Sequence, residues 1–131
     1  MNRPRAKISH ASRKPTAYIR IRIPHGDDFA IGPGKATLLE TIQRTGSISA
    51  AGRELNMSYR RAWMLVDSMN RCFRTLLVDT ATGGRAGGGA HVTDFGIDVL
   101  QRFRAMETKA RAAVEPELTQ LFQLLARRPP K

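Results

Sequence analysis

The chain has 131 residues and carries 22 Lys and Arg side chains against 11 Asp and Glu, a formal net charge of +11. This length fits one domain, or one domain with a short extension, and the charge favours a polyanionic partner, either nucleic acid or an anionic membrane. The single cysteine, Cys72, excludes an intrachain disulfide and a cysteine-based zinc site, and it is expected to pack as a small apolar side chain. No run of about 18 apolar residues is present, so we expect no transmembrane helix and no membrane partner.

The N-terminal residues divide into a basic arm and a short strand. Residues 1–16 are rich in Lys and Arg and poor in large apolar side chains, which predicts a loose arm that either contacts DNA phosphates or is simply solvated. In residues 17–23, Ile19, Ile21 and Ile23 alternate with arginines, the pattern of a half-buried strand. Pro24 is expected to end this strand, and turns are expected at residues 25–28 and 31–34.

Three helices are predicted in the next forty residues. Residues 35–44 have an apolar stripe that ends before Gly46, and Ser47 or Ser49 then caps a short helix as far as Leu55. After a turn at residues 56–57, Ser58 caps a third helix. Its predicted buried face consists of Tyr59, Ala62, Trp63, Val66, Met69 and Phe73, with Trp63 in the core rather than stacked on a base. Its predicted outer face consists of Arg60, Arg61, Met64, Asp67, Ser68 and Arg71.

The C-terminal half predicts a hairpin followed by a long helix. Residues 76–79 and 90–92 read as strands, and the glycine-rich residues 82–89 form the tip between them. Thr93 caps a helix from about Asp94, and Pro116 must kink or restart it. The apolar side chains of this helix continue from Phe95 to Leu125, a stripe too extended for one small core.

Two short helices joined by a tight turn predict a helix-turn-helix, whose second helix places its N-terminal residues in the major groove of DNA. At that position Ser58 can contact a phosphate, Tyr59 can reach the backbone, and Arg60 and Arg61 can pair with guanine or phosphate. The alternative for the two arginines is an ordinary solvated helix start. Ser47, Ser49 and Met64 complete the predicted contacts of the helix pair.

The glycine-rich tip predicts a wing. Backbone amides at Gly84 and Gly87 can approach a phosphate closely, and Arg85 can enter the minor groove. The alternative is a mobile loop without a role. The tip lacks the Lys-Ser/Thr ending of a phosphate-binding P-loop and precedes a strand, which excludes nucleotide binding by that motif.

Several segments together resemble the N-terminal-domain family of ModE, the molybdate-responsive transcription regulators, and more distantly the LysR-type helix-turn-helix. They are residues 46–49, 58–63, 69–70, 77–78, 81–90 and 93–96, within a likeness that covers about residues 17–125. The resemblance implies a winged helix-turn-helix homodimer, in which the first helix and the long helix form the dimer contact. The residues that it implies for dimerisation are Leu38, Phe95, Val99, Phe103, Met106, Leu118, Leu121, Phe122 and Leu125. Because this chain ends at Lys131, we expect the family's molybdate-binding C-terminal domains to be absent, and molybdate sensing does not carry over.

The sequence therefore predicts a mainly α fold with a small β-wing, a winged helix-turn-helix with a long C-terminal dimerisation helix. We expect an arm (1–16), a DNA-binding domain (17–93), a dimerisation helix (94–127) and a tail (128–131). His10, His25 and His91 lie far apart, and no catalytic or metal-ligand spacing appears, so we expect no enzyme, metal or cofactor.

The predicted function is sequence-specific binding of double-stranded DNA by a cytoplasmic, nucleoid-associated bacterial regulator, with an effector or protein partner left unidentified. One alternative is a non-specific architectural DNA-binding protein that uses the same fold and charge. The other is a protein-interaction module whose long helix binds a partner and whose charge is incidental.

Overall fold

The computed structural model describes residues 19–80 and 89–130. They form four helices and two two-stranded antiparallel sheets, in keeping with the predicted mainly α fold. In chain order the elements are β1 (Ile23–His25), β2 (Asp28–Ile31), α1 (Pro33–Thr45), α2 (Ile48–Glu54), α3 (Tyr59–Cys72), β3 (Val78–Asp79), β4 (His91–Val92) and α4 (Asp94–Gln123). Residues 20–109 form one compact unit, and residues from Ala110 onward belong to a second.

The N-terminal hairpin differs from the single strand predicted at residues 17–23. Residues 17 and 18 lie outside the described part, residues 19–22 are not in a ladder, and β1 instead starts at Ile23 and pairs with β2. The prediction located the alternation correctly, since Ile19, Ile21 and Ile23 are half-buried while the intervening arginines are exposed. The alternation of isoleucine and arginine predicts which side chains are buried, but it does not predict which backbone groups pair with a neighbouring strand.

The first helix supplies the centre of the core. Pro33 occupies its first position, where the missing N–H costs nothing, and Gly46 ends it at φ 73°, a left-handed conformation that favours glycine. The Gly46 N–H donates to the Ile42 carbonyl at 2.7 Å. The predicted stripe of Leu38, Leu39 and Ile42 has no exposed surface at all. The core around it includes Ala51, Ala62, Val66, Met69, Leu77, Val78, Leu100 and Phe103.

The fourth helix begins where the sequence indicated. Thr93 precedes it, and its Oγ1 accepts from the Gly96 N–H at 2.9 Å. Gly96 is required here because a Cβ at this position would lie 2.4 Å from the Leu77 carbonyl oxygen and 2.8 Å from Val92 Cγ1. The helix does not restart at Pro116, which lies within the continuous helix Asp94–Gln123.

Candidate nucleic-acid interface

Helices α2 and α3 form a helix-turn-helix whose two starts are both capped by serine. Ser47 Oγ accepts from the Ala50 N–H at 3.0 Å, and Ser58 Oγ accepts from the Arg61 N–H at 3.0 Å. Asn56 turns the chain between them at φ 59°, a conformation that asparagine tolerates better than most residues. Gly52 lets the helices approach closely, since a Cβ there would lie 3.2 Å from the Met57 carbonyl oxygen and 3.3 Å from Ala62 Cβ.

The first residues of α3 are largely exposed. Arg60, Arg61 and Ser58 are exposed, as predicted. Tyr59 and Trp63 were predicted on the buried face, and this is wrong: they are 55% and 40% exposed, alongside Met64 at 56%. At about 100° of rotation per residue, the buried seam runs through Ala62, Val66 and Met69, and Trp63 is turned away from its centre. The opposite error concerns Ser68, which was predicted outside and is buried.

Ser47 and Ser49 are half-buried and engaged within the protein. Ser47 uses its oxygen as the cap of α2, and Ser49 Oγ accepts from Arg53 Nη1 at 3.1 Å. Both hydroxyls therefore already accept hydrogen bonds within α2, and their contact with DNA stays a prediction.

The wing strands are held to α3 by one side chain. Asn70 Oδ1 accepts from the backbone N–H groups of Leu77 (2.8 Å) and Val78 (3.2 Å), and its Nδ2 donates to the Val78 carbonyl at 3.0 Å. β3 pairs with β4 through Val78 and Val92. The Ala90 N–H donates to the Gly46 carbonyl at 2.9 Å, which fixes the returning strand to the end of α1. The wing tip with Gly84, Arg85 and Gly87 lies outside the described residues, so its contacts stay predictions.

A polar cluster of buried Lys35 and Ser68 with exposed Asp28 ties α3 to the N-terminal hairpin, and sequence reasoning missed it. The Lys35 ammonium donates to the Phe29 carbonyl and, at 2.8 Å, to Ser68 Oγ, and it lies 3.7 Å from Asp28 Oδ1. Ser68 in turn donates to Asp28 Oδ2 at 2.6 Å. The Ser68 hydrogen bond, the Phe29 N–H and the Lys35 charge hold the pKa of Asp28 below its usual value. No local pattern signals a cluster whose members come from three separate elements.

A second polar cluster, also missed, joins α1 to α4. Arg104 makes a bidentate pair with Glu40 at 2.9 Å for both bonds, and its remaining nitrogen donates to Glu107 at 2.8 Å. The hydrogen bond from Arg104 is the main cause of a lowered pKa at Glu40, and it raises the pKa of Arg104 in return. This cluster fastens the first part of α4 to α1.

The predicted dimerisation residues divide into core and surface. Leu38 and Phe103 are buried inside the protein, at 0% and 2% exposure, so they pack its own core and offer nothing to a partner. Phe95 and Val99 are half-buried against the same core. Met106 and Leu121 of α4 are exposed, as is Leu125 just after the helix, and Leu118 and Phe122 are half-buried.

Residues 19–80 and 89–130 hold no metal site, no disulfide and no membrane-spanning helix. No group of three or more His, Cys, Asp or Glu side chains is placed to hold a metal ion there. Cys72 is half-buried and has no disulfide partner. Among the described helices, none is both long enough and apolar enough to cross a membrane.

Comparison with known proteins agrees with this geometry. The chain is 38% identical over 97 residues to the transcriptional regulator ModE of Yersinia pestis, covering 72% of this chain and 37% of that protein. It is 38% identical over 71 residues to the DNA-binding transcriptional dual regulator ModE of Escherichia coli K12, covering 54% and 27%. The chain thus spans about a third of the length of the curated relatives that it matches. No family model matches it.

A solved structure supports the fold. Full-length LTTR LysG from Corynebacterium glutamicum, a LysR-type protein, superimposes with a TM-score of 0.51 at 20% identity, over 71% of this chain and 30% of that chain. The likeness confirms the predicted winged helix-turn-helix with a long C-terminal helix. Together with the sequence matches, it shows that this chain carries a ModE-like N-terminal domain of the winged helix-turn-helix fold.

Proposed function

We propose that this chain is a transcription regulator that binds duplex DNA in a sequence-specific manner, with α3 in the major groove and the wing on the backbone or in the minor groove. The observation that carries the proposal is the start of α3, where cationic and aromatic side chains are exposed while the opposite face of the helix is buried. Relatives named as transcriptional regulators support the same class, and they are not enzymes.

The exposed start of α3 carries two kinds of side chain, which suit different parts of a base pair. Arg60 and Arg61 carry guanidinium groups that bond guanine O6 and N7, or a phosphate, through two donors. Tyr59, Trp63 and Met64 present apolar surface, and the apolar group in the major groove is the thymine methyl. A helix with both kinds of side chain can distinguish sequences, which a uniformly basic surface cannot do.

The decisive experiment uses the full chain and a duplex selected from a random pool, with a scrambled duplex of equal length beside it. Arg60→Ala and Arg61→Ala should each weaken binding to the selected duplex by about 1–3 kcal/mol if they contact bases, and should relax the preference for it. Fluorescence anisotropy measures both affinities. If both variants keep the wild-type affinity and preference, α3 is not the reading helix.

The net charge of +11 also favours a second candidate, a non-specific architectural protein with the same fold. Genomic footprinting separates the two functions, since a few sharp sites support the regulator and even coverage supports the architectural protein.

We further propose that two copies bind together through exposed apolar side chains at the end of α4 and just after it. Leu121 and Leu125 are exposed there, and they are the side chains that a second copy would cover. A dimer would place the two α3 helices on half-sites about one helical turn, roughly 34–36 Å, apart. Light scattering at micromolar concentration tests this: a monomer that still prefers the selected duplex would contradict the dimer but not the regulator.

A further inference from the structure

A groove of about 800 Å³ runs between α3 and the N-terminal hairpin. Its cationic lining comes from both sides and from the floor: Arg20, Arg22, Lys35, Arg60, Arg61 and Arg71. Among the described residues, the carboxylates that line it are Asp28 and Asp67. The groove therefore has a clear excess of positive charge, which favours an anionic occupant.

The polar groups at the floor of the groove are already satisfied by the protein. Lys35 donates to Phe29 and Ser68, and Asp28 accepts from Ser68 and lies beside Lys35. Asp67 accepts from Arg71 at 3.0 Å. These side chains therefore have partners within the protein, and the remaining positive charge of the groove lies at its rim.

The rim arginines are the unpaired charges. Arg20, Arg22, Arg60 and Arg61 are exposed, and none makes an ion pair with a described residue. Arg22 is partly oriented, because its guanidinium lies 5.2 Å from the centroid of the Phe29 ring. Guanidinium groups on both sides of an open groove match the spaced phosphates of a nucleic-acid strand.

The position of the groove beside α3 indicates how a nucleic-acid strand would reach it. A helix that lies in a major groove about 12 Å wide has a phosphodiester strand along each flank. We propose that the groove beside α3 holds one of these strands, and that Arg20 and Arg22, in the segment that leads into the N-terminal hairpin, are phosphate contacts opposite Arg61. This inference rests on the function proposed above, and it adds the segment before β1 to the DNA interface.

Salt dependence of binding tests the inference directly. Each phosphate contact adds about 0.9 to the slope of log K against log salt concentration. The double variant Arg20→Ala/Arg22→Ala should therefore lower that slope by about 1.8, equally for the selected and the scrambled duplex. Between 50 and 200 mM salt, the wild-type affinity should fall about 12-fold more than that of the variant.

Two matched variants serve as controls. Lys109→Ala/Arg111→Ala removes the same charge from exposed positions on α4 that make no ion pair with a described residue, and it should leave the slope unchanged. Arg20→Lys/Arg22→Lys keeps the charge and should keep most of the slope. A slope that falls equally for the α4 variant indicates net charge alone and overturns the inference.

Ethylation interference identifies the contact on the DNA. Ethylating backbone phosphates on one strand at the edge of the α3 footprint should weaken wild-type binding but should no longer weaken the Arg20→Ala/Arg22→Ala variant. If that variant keeps the wild-type slope and interference pattern while Arg60→Ala still loses sequence preference, the groove assignment fails and the regulator stands. If the wild-type chain binds neither duplex, both proposals fail.

Discussion

Replacing Gly96 by alanine tests how closely α4 approaches the wing. The new Cβ would lie 2.4 Å from the Leu77 carbonyl oxygen, an oxygen that also accepts from the Thr93 N–H at 2.9 Å. Relieving this overlap requires α4 and β3 to separate, and overpacking of this kind costs about 1–3 kcal/mol. Weakening the Thr93 hydrogen bond lowers the free energy of unfolding by about 1 kcal/mol more. The better helix propensity of alanine offsets up to about 1 kcal/mol of this loss.

The expected net loss is therefore about 1–3 kcal/mol in the free energy of unfolding. Urea unfolding followed by circular dichroism measures it, at one fixed protein concentration because association changes apparent stability. Gly34→Ala is the matched control: it makes the same chemical change in α1, where a Cβ would meet nothing within 4 Å, so it should be neutral or slightly stabilising. If the two variants shift the urea midpoint in the same direction, the close packing of α4 on β3 is refuted.

Three further predictions concern the wing anchor, an ion pair and the reading helix. Asn70→Ala should lower the free energy of unfolding by about 1–3 kcal/mol in urea titrations, because the Leu77 and Val78 backbone groups lose their partner. Glu40→Gln should cost stability at pH 7 and less at pH 3. The pKa of Glu40 is lowered in the folded protein by Arg104, so its contribution is present above the unfolded-state value of about 4.3 and is lost as pH falls through the lower folded-state value. Replacing thymine by deoxyuracil within the α3 footprint should weaken wild-type binding in anisotropy titrations, but not binding by the Trp63→Ala variant; equal weakening of both would contradict the thymine contact.

The helix boundaries could be predicted because their signals are local. Ser58 and Thr93 cap the helices that the sequence assigned to them, Ser47 is the one of two candidates that caps α2, and Gly46 ends the first helix in the left-handed conformation. A cap depends on a hydrogen bond to a backbone group three residues away, so the residue type and its position suffice.

The missed or wrong predictions concern contacts between residues that are far apart in the sequence. Lys35, Asp28 and Ser68 meet across separations of 33 and 40 residues, and nothing in any one element marks the partner. Trp63 was assigned to the core because its size and spacing fit a buried stripe. The small Ala62 instead lies at the centre of the seam, because α2 approaches too closely there for a large side chain.

The structure also shows where unpaired positive charge lies on the protein, which composition cannot show. In residues 20–109, carboxylates on α1, α2 and α4 pair with arginines: Glu54 with Arg44, Asp98 with Arg102, and Glu40 and Glu107 with Arg104. Five arginines line the α3 groove; Arg71 pairs with Asp67, but Arg20, Arg22, Arg60 and Arg61 make no ion pair with a described residue. Unpaired charge concentrated beside α3 would steer a duplex towards that helix in one orientation, and the same charge spread evenly would not.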